Sequence, residues 1–378
     1  MKRLKVMTIV GTRPEIIRLS RVIIKLDKTT DHILVHTGQN YAYELNELFF
    51  KELELRKPDY FLEVDTGSFG RVYGDTLIKT EEILLKENPD AVLILGDTNS
   101  SLSAIIAKRL KIPVYHMEAG NRCFDLNVPE EINRKIIDHI ADFNLVYTEH
   151  ARRNLLAEGF PPRRIYLSGS PMKEILDHYQ ENIERSEILA KLKLKPREYF
   201  LLSAHREENV DRKDSLSKLL SLLEMLQSRF SKKVIVSTHP RTADRLKKIG
   251  HTNTNENIIF MKPFGYFDYV SLQKNAFTTI SDSGTISEEA SLLDFSAITI
   301  RNAMERPEAM DAASIVLTGL NEKAIISAIE LSQQCEGQKR TLPFEYLVSD
   351  TAQRVVSLII GTAKLSNLWA GIELNDIR

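Results

Sequence analysis

Only two cysteines, Cys123 and Cys335, occur in 378 residues; they lie far apart and form no C-x-x-C pair. Their scarcity argues against a structural zinc site and fits a reduced, cytoplasmic protein. Long apolar runs are missing too, so no segment is expected to span a membrane. The opening MKRLKVMTIVGTRPE resembles a signal peptide for a few residues, but its apolar run is short and GTRPE breaks it. It reads instead as a first buried strand. Excess charge of either sign is absent, with 51 Lys+Arg against 52 Asp+Glu and a formal net charge of −1. Nothing global therefore favours nucleic acid or an anionic membrane as a partner. An anionic ligand would depend on a local cluster of arginine, lysine and backbone N–H groups. The chain carries no G-x-G-x-x-G turn, no H-E-x-x-H, no cysteine cluster and no acidic calcium loop. G-x-S-x-G is missing as well. Dinucleotide binding at a glycine-rich turn, metal chemistry and a serine nucleophile thus have no support. No internal repeat or low-complexity segment is present.

What remains is an ordinary globular composition, 43% hydrophobic and 27% charged, in a chain comfortable for two domains. Short apolar runs at 4–10, 32–37, 91–96, 114–117, 143–148 and 164–168 read as buried strands. Amphipathic segments at 16–25, 41–52, 70–87, 100–109, 130–140 and 151–158 read as the helices between them. Near-continuous apolar strands separated by helices imply a parallel sheet covered on both faces. Residues 172–198 interrupt the alternation; they are polar, helical and end in the charged KLKLKPREY. Strands then resume at 199–204, 233–237, 257–261, 277–281, 297–300 and 314–317. Helices near 215–229, 242–250, 266–275 and 285–293 separate them. The expected fold class is α/β, with two Rossmann-like doubly wound parallel-sheet domains facing a cleft. The expected domains are 1–171 and 172–348, with a helical segment 349–378 packing back on the first.

Ligands of open parallel sheets bind beyond the carboxyl ends of the strands, and every distinctive fragment falls at such an end. GTRPE (11–15) follows the first strand, with Pro14 suited to an early helical position and Arg13 and Arg18 as cations. Three carboxylates follow: Asp97 in GDTNS, Glu118 in HMEAGNR and Glu130 in NVPEEINR. Asp97 alone reads as a helix cap, and Glu130 suits a helix start. Glu118, directly after a buried strand, is harder to explain by capping. In the second half, SAHREEN places His205 at a strand end, where a histidine can bind phosphate or shuttle a proton. STHPR repeats the theme with His239 and Arg241. DSGTISEEA leads through Ser283, Gly284 and Thr285 into a helix start suited to an anion. A capping box accounts for Thr285 and Glu288 but leaves Glu289 without a role. RNAMERPE adds Arg301 and Arg306.

Taken in order from about residue 4 to 320, these fragments closely resemble the non-hydrolysing UDP-N-acetylglucosamine 2-epimerase family. The resemblance implies the two-Rossmann-domain architecture shared with GT-B glycosyltransferases and a UDP-sugar partner bound in the interdomain cleft. It implies acid/base roles for Asp97, Glu118 and Glu130, with His205 beside the diphosphate or sugar. Arg13, His205, Ser283 and Gly284 would hold the diphosphate and Glu289 the ribose, with Arg18, His239 and Arg306 as further cleft residues. The family reaction removes UDP from C1 as the C2 proton leaves, and re-adds it to the 2-acetamidoglycal. It has no net redox change, so neither a metal nor a nicotinamide cofactor is expected. Family analogy also implies a homodimer. Arg18 stands where the family usually has lysine, HREEN where HRREN is common, and VHTGQNYAYELNELFF replaces a region that holds an allosteric nucleotide sugar in many bacterial members. Together with RKPDYFL, these variants look most like the capsule and O-antigen branch, which converts UDP-2-acetamido-2,6-dideoxy-L-talose into UDP-N-acetyl-L-fucosamine. A UDP-N-acetylglucosamine epimerase, a GT-B glycosyltransferase and a nucleotide-sugar sensor are the competing readings.

Overall fold

Apolar runs such as KVMTIV and AVLIL cannot face water on either side, and they form interior strands of a sheet covered on both faces. The computed structural model describes residues 3–38, 43–335 (backbone alone over 43–47), 337–338 and 341–373. Part of the segment VHTGQNYAYELNELFF, residues 39–42, lies outside the described residues. The chain divides into two units, Met1–Asp177 with Glu345–Arg378, and His178–Phe344.

The first unit holds β1 (Lys5–Val10), β2 (Asp31–His36), β3 (Tyr60–Phe61), β4 (Ala91–Leu95), β5 (Val114–Met117), β6 (Phe143–Val146) and β7 (Ile165–Leu167). All pairings are parallel, in the order β3-β2-β1-β4-β5-β6-β7. The chain winds outward from β1 in one direction and from β4 in the other. The loops leaving β1 and β4 therefore diverge and open a crevice at the switch. Two-residue β3 was not expected from the sequence: it pairs only through Val35–Tyr60 and His36–Phe61, close behind Pro58. An edge strand so short carries no apolar alternation to read.

The helix Arg13–Thr29 buries Ile16, Leu19, Val22, Ile23 and Leu26, spacing that places them on one face. The helix Thr351–Thr362 packs against it with Val355, Val356 and Ile359 buried. Side-chain hydrogen bonds fasten this C-terminal segment at both ends. Ala352 N donates to Glu174 Oε2 (2.8 Å), and Tyr115 Oη lies 2.6 Å from Thr362 Oγ1.

The second unit repeats the plan with β8 (Tyr199–Ser203), β9 (Lys233–Ser237), β10 (Ile258–Met261), β11 (Thr278–Ser281), β12 (Ala297–Thr299) and β13 (Val316–Leu317). Their parallel order is β10-β9-β8-β11-β12-β13, so the switch falls between β8 and β11. Its core gathers Phe200, Leu202, Leu219, Leu223, Ile280 and Ile298. The helix Glu322–Gln334 was also outside the sequence reading, although Asn321 caps it by accepting from Ala324 N at 3.0 Å.

Ile359 is fully buried. Ile359→Ala should destabilise the first unit by about 2–5 kcal/mol, measured as a shift in its urea midpoint. An unchanged midpoint would show that the C-terminal helix adds nothing to this core.

Candidate active site

In the first unit, the loop from β1 is tied to the loop from β4 by a residue the sequence reading passed over. Thr12 is the N-cap of the helix Arg13–Thr29, and Glu15 sits one turn in. The Glu15 carboxylate is 1% exposed. Its Oε2 accepts from Gly11 N (3.1 Å) and Thr12 Oγ1 (2.7 Å), and Oε1 accepts from Ser100 Oγ (2.5 Å). Burial pushes this carboxyl up to about 7, against the pull of those hydrogen bonds. The T-x-x-E spacing of a capping box was the available signal. Arg13 lays its guanidinium over the Phe49 ring, 5.5 Å from the centroid.

The three carboxylates occupy different settings. Asp97 follows Gly96 and is not a cap. Its Oδ2 accepts from Arg134 Nε (2.8 Å) and Nη2 (2.6 Å), while its carbonyl accepts from Asn133 Nδ2 (3.0 Å). Glu118 directly follows β5 with φ of +64°, a left-handed backbone costly for a side chain of this size. Its Oε2 pairs with Arg18 Nη1 at 3.2 Å, and Arg18 is itself buried over the Tyr147 ring. Glu130 lies in the first turn of the helix Pro129–Ile140 and is partly exposed. Among the described residues, no hydrogen bond or ion pair engages its carboxylate.

Glu131, one residue on, is fully buried, with Arg134 Nη1 2.6 Å from its Oε2 and Cys123 N donating at 3.1 Å. Burial opposes its charge, yet the Cys123 N–H and Arg134 hold it below the usual carboxylate range. Arg134 therefore spans Asp97 and Glu131. Its place in the PEEINR fragment was its only sequence signal.

In the second unit, the crevice between β8 and β11 is organised by Asp282, which is fully buried. Its carboxylate accepts from His205 N (3.0 Å), Arg206 N (2.9 Å) and Asn209 Nδ2 (3.0 Å), with His205 Nδ1 3.0 Å away. Burial works against the charge, but His205 and these donors outweigh it and hold the carboxyl well below its ordinary range. With Nδ1 on Asp282, the His205 ring turns Nε2 away from this carboxylate. The His239 ring lies 5.4 Å from the His205 ring. His239 also caps the helix Pro240–Lys248, accepting from Arg241 N at 3.2 Å, so it has an ordinary structural role.

Ser283 Oγ lies 3.0 Å from Thr285 Oγ1, and the helix Ile286–Leu293 follows. Gly284 faces Arg301, Glu305 and Arg306; a Cβ there would meet them at 3.7–3.8 Å, an ordinary contact. The protein's own packing does not require glycine at this point. The capping-box expectation is corrected here, because Thr285 makes no side-chain cap and the buried Glu288 pairs with Arg306. Glu289, 4% exposed, accepts from Gln273 Nε2 at 2.7 Å. Arg301 and Arg206 share Glu305 Oε1 at 2.5 and 3.4 Å. Among the described residues, no three His, Cys, Asp or Glu side chains are grouped to hold a metal, and no helix is long and apolar enough to cross a membrane.

Comparison with known proteins gives consistent matches over nearly the full length. The family profile described as UDP-N-acetylglucosamine 2-epimerase matches residues 23–360. The UDP-N-acetylglucosamine 2-epimerase of Methanocaldococcus jannaschii is 40% identical over 339 residues, covering 87% of this chain and 92% of that protein. A solved structure of UDP-N-acetylglucosamine 2-epimerase from Rickettsia bellii superposes with a TM-score of 0.89 at 48% identity, covering 97% of this chain and all of that one. The M. jannaschii enzyme in complex with UDP-GlcNAc and UDP also superposes at 0.89, with 37% identity over 94% of this chain and 99% of that one.

Glu15 gives a pH dependence of known sign. Its carboxyl titrates at about 7 when folded against an ordinary 4.5. Between these values the folded chain holds a proton that the unfolded chain has lost. Its contribution is therefore fully present below the unfolded value and is lost as pH rises through about 7. Glu15→Gln keeps an oxygen acceptor and removes the titration. The variant should lose less stability than the wild type between about pH 5 and 8. Parallel urea-stability curves would show that Glu15 is ionised throughout.

Proposed function

This chain belongs to the UDP-N-acetylglucosamine 2-epimerase family, and on that premise we propose that it inverts C2 of a UDP-2-acetamidohexose, with UDP-N-acetylglucosamine and UDP-N-acetylmannosamine as the interconverted pair. The family's enzymes are isomerases, and this one is a non-hydrolysing 2-epimerase. The observation that carries the mechanistic reading is the unequal pairing of the three carboxylates. Arg134 and Arg18 hold Asp97 and Glu118 in fixed directions, while Glu130 remains uncommitted.

A C2 proton with no adjacent carbonyl is not acidic, so simple deprotonation would be slow. Coupling its removal to departure of UDP from C1 avoids an isolated carbanion and gives the 2-acetamidoglycal. Addition of UDP back to C1, with protonation of the other face of C2, completes the inversion. Atoms and electrons balance without an oxidant. In this reading Glu118 or Asp97 takes the proton and Glu130 carries one for re-addition, the roles exchanging in the reverse direction. The second unit supplies the grip on UDP. His205 Nε2, Arg206, the Ser283 hydroxyl and the Gly284 N–H hold the diphosphate, and Glu289 the ribose diol. Fixed positive charge at the leaving phosphate stabilises bond cleavage, the usual role of preorganised donors. Arg13 and Arg18 in the first unit, and His239 and Arg306 in the second, are the further substrate-binding residues of this reading, with Arg18 and Arg306 acting through Glu118 and Glu288.

A second substrate, UDP-2-acetamido-2,6-dideoxy-L-talose giving UDP-N-acetyl-L-fucosamine for a surface polysaccharide, is favoured by Arg18 in place of lysine and by HREEN. The names of the similar enzymes favour UDP-N-acetylglucosamine. Each nucleotide sugar supplied alone in D₂O should separate them by NMR, the true substrate gaining deuterium at C2 as its epimer forms. No deuterium at C2 of any UDP-2-acetamidohexose would sink the epimerase reading.

Two substitutions test the roles. Glu118→Gln keeps shape and removes the titrating group, so turnover should fall by about 10²–10⁴-fold while UDP affinity by calorimetry is retained; wild-type turnover would remove Glu118 from the mechanism. His205→Ala should weaken UDP binding by about tenfold or more, as loss of a charged or polar contact worth 1.5–3 kcal/mol predicts. Unchanged UDP affinity would leave His205 a structural partner of Asp282.

A further inference from the structure

Directly beside the Asp97 and Glu118 loops, the first unit buries a set of charged groups to which the proposed chemistry gives no part. His116 and Asp138 are fully buried, and Arg122 is 2% exposed. His116 stands on β5, and its Nε2 lies 2.9 Å from the carbonyl of Gly96, to which it donates. That carbonyl immediately precedes Asp97. The other ring nitrogen, Nδ1, is 2.9 Å from Asp138 Oδ1.

Asp138 also accepts from Gly120 N at 3.1 Å, two residues beyond Glu118, and from Arg122 Nη1 at 2.7 Å. Arg122 is fixed in turn by Glu158 through two parallel bonds of 2.8 and 2.7 Å, and it donates to Asn121 O at 2.8 Å. One carboxylate thus grips the turn that follows Glu118 and, through His116, reaches the turn that carries Asp97.

The turn needs such a grip. Glu118 and Gly120 both adopt left-handed backbone, at φ of +64° and +79°. Gly120 is pressed so closely on the helix Glu149–Ala157 that a Cβ would lie 2.5 Å from Ala151 O. A non-glycine residue in this conformation persists only where its surroundings over-determine it. Here the surroundings are the hydrogen bonds to Asp138 and the closure on Ala151. Burial opposes the Asp138 charge, and His116 and Arg122 more than offset this, keeping the group an acceptor for every donor around it.

We propose that Asp138 is a positioning residue for the epimerase reaction, holding the Glu118 turn directly and the Asp97 turn through His116, so that both carboxylates meet the sugar in fixed register. This deepens the epimerase reading and rests on it. A carboxylate displaced by about 1 Å from its productive position loses on the order of 10²-fold in rate. His205, Arg206, Gly284 and Glu289, proposed to hold UDP, belong to the second unit and should be untouched.

Asp138→Ala removes both acceptor oxygens, so Gly120 N, Arg122 Nη1 and His116 Nδ1 all lose the carboxylate between them. With the wild type active, kcat of the folded variant should fall about 10²-fold, with KM within about threefold and UDP affinity unchanged. A cluster that serves stability alone would lower Tm and leave kcat per folded molecule intact, which overturns the proposal. If Asp138→Ala does not fold, the His116 variants decide. His116→Asn keeps a donor towards Asp138 and cuts the bond to Gly96, so kcat should fall by about tenfold or more; His116→Gln keeps the Gly96 bond and should lie closer to wild type. Equal kcat in both His116 variants and the wild type overturns the proposal. A wild-type protein inert on every UDP-2-acetamidohexose overturns the epimerase reading and this inference together, whereas an active wild type with unaffected variants overturns the inference alone.

Discussion

A charge removed from water costs several kcal/mol unless a partner and further hydrogen bonds replace the lost solvent, and both units are arranged around that constraint. The strand-end crevices carry many buried ionic groups. Arg18 meets Glu118, Arg134 meets Asp97 and Glu131, and Arg122 meets Asp138 and Glu158 in the first unit. In the second, His205 meets Asp282, Arg301 meets Glu305 and Arg306 meets Glu288. Replacement of such pairs by apolar residues is often neutral or stabilising in other proteins. Stability alone is therefore a weak account of so many pairs in two small crevices. Fixed direction is a better one, because most of these pairs join residues from different segments and set the angle of the side chain they hold.

The same doubly wound plan gives the two crevices different chemical characters. In each, loops diverge from neighbouring central strands, and the residue just past a strand end is held by an acid behind it. Behind the first crevice the acids are Glu15 and Asp138, and what is presented forward is carboxylate: Asp97, Glu118 and the uncommitted Glu130. Behind the second the acid is Asp282, and what is presented forward is a histidine ring and the Ser283-Gly284 turn that leads into the helix Ile286–Leu293. One crevice suits proton transfer and the other an anion. Neither use requires net charge on the protein, which accounts for a near-neutral chain in a family of nucleotide-sugar enzymes.

Strand positions were legible because strands buried on both faces leave long apolar runs, and twelve of the thirteen strands follow them. The thirteenth, β3, has two residues and leaves no run. The crevice residues were legible as fragments, since strand ends are where polar residues reappear after apolar ones. Their partners were not. On the helix Pro129–Ile140, the buried side is lined by Glu131, Arg134 and Asp138 as well as Ile137. A reading that assigns polar residues to solvent places that stripe on the wrong side. Glu130 and Glu131 are indistinguishable by type, and only helix phase, about 100° per residue, sends one to Arg134 and the other outward. Likewise Asp97 has the sequence context of a cap, and Glu288 that of a capping box, until an arginine from a distant segment claims each.

Arg18 shows how such a partner bears on specificity. A lysine at this position would offer Glu118 a single ammonium point charge on a flexible stem. Arginine offers a planar fork that also lies over the Tyr147 ring, so the direction of the pair is fixed from two sides. Glu118 is already constrained from behind by its left-handed backbone and by the turn closed on Asp138. A carboxylate constrained at both its backbone and its tip has little freedom to follow sugars of different ring geometry. If Glu118 is the group that takes the C2 proton, the substrate must bring that proton to it, because the surrounding pairs leave Glu118 little room to move.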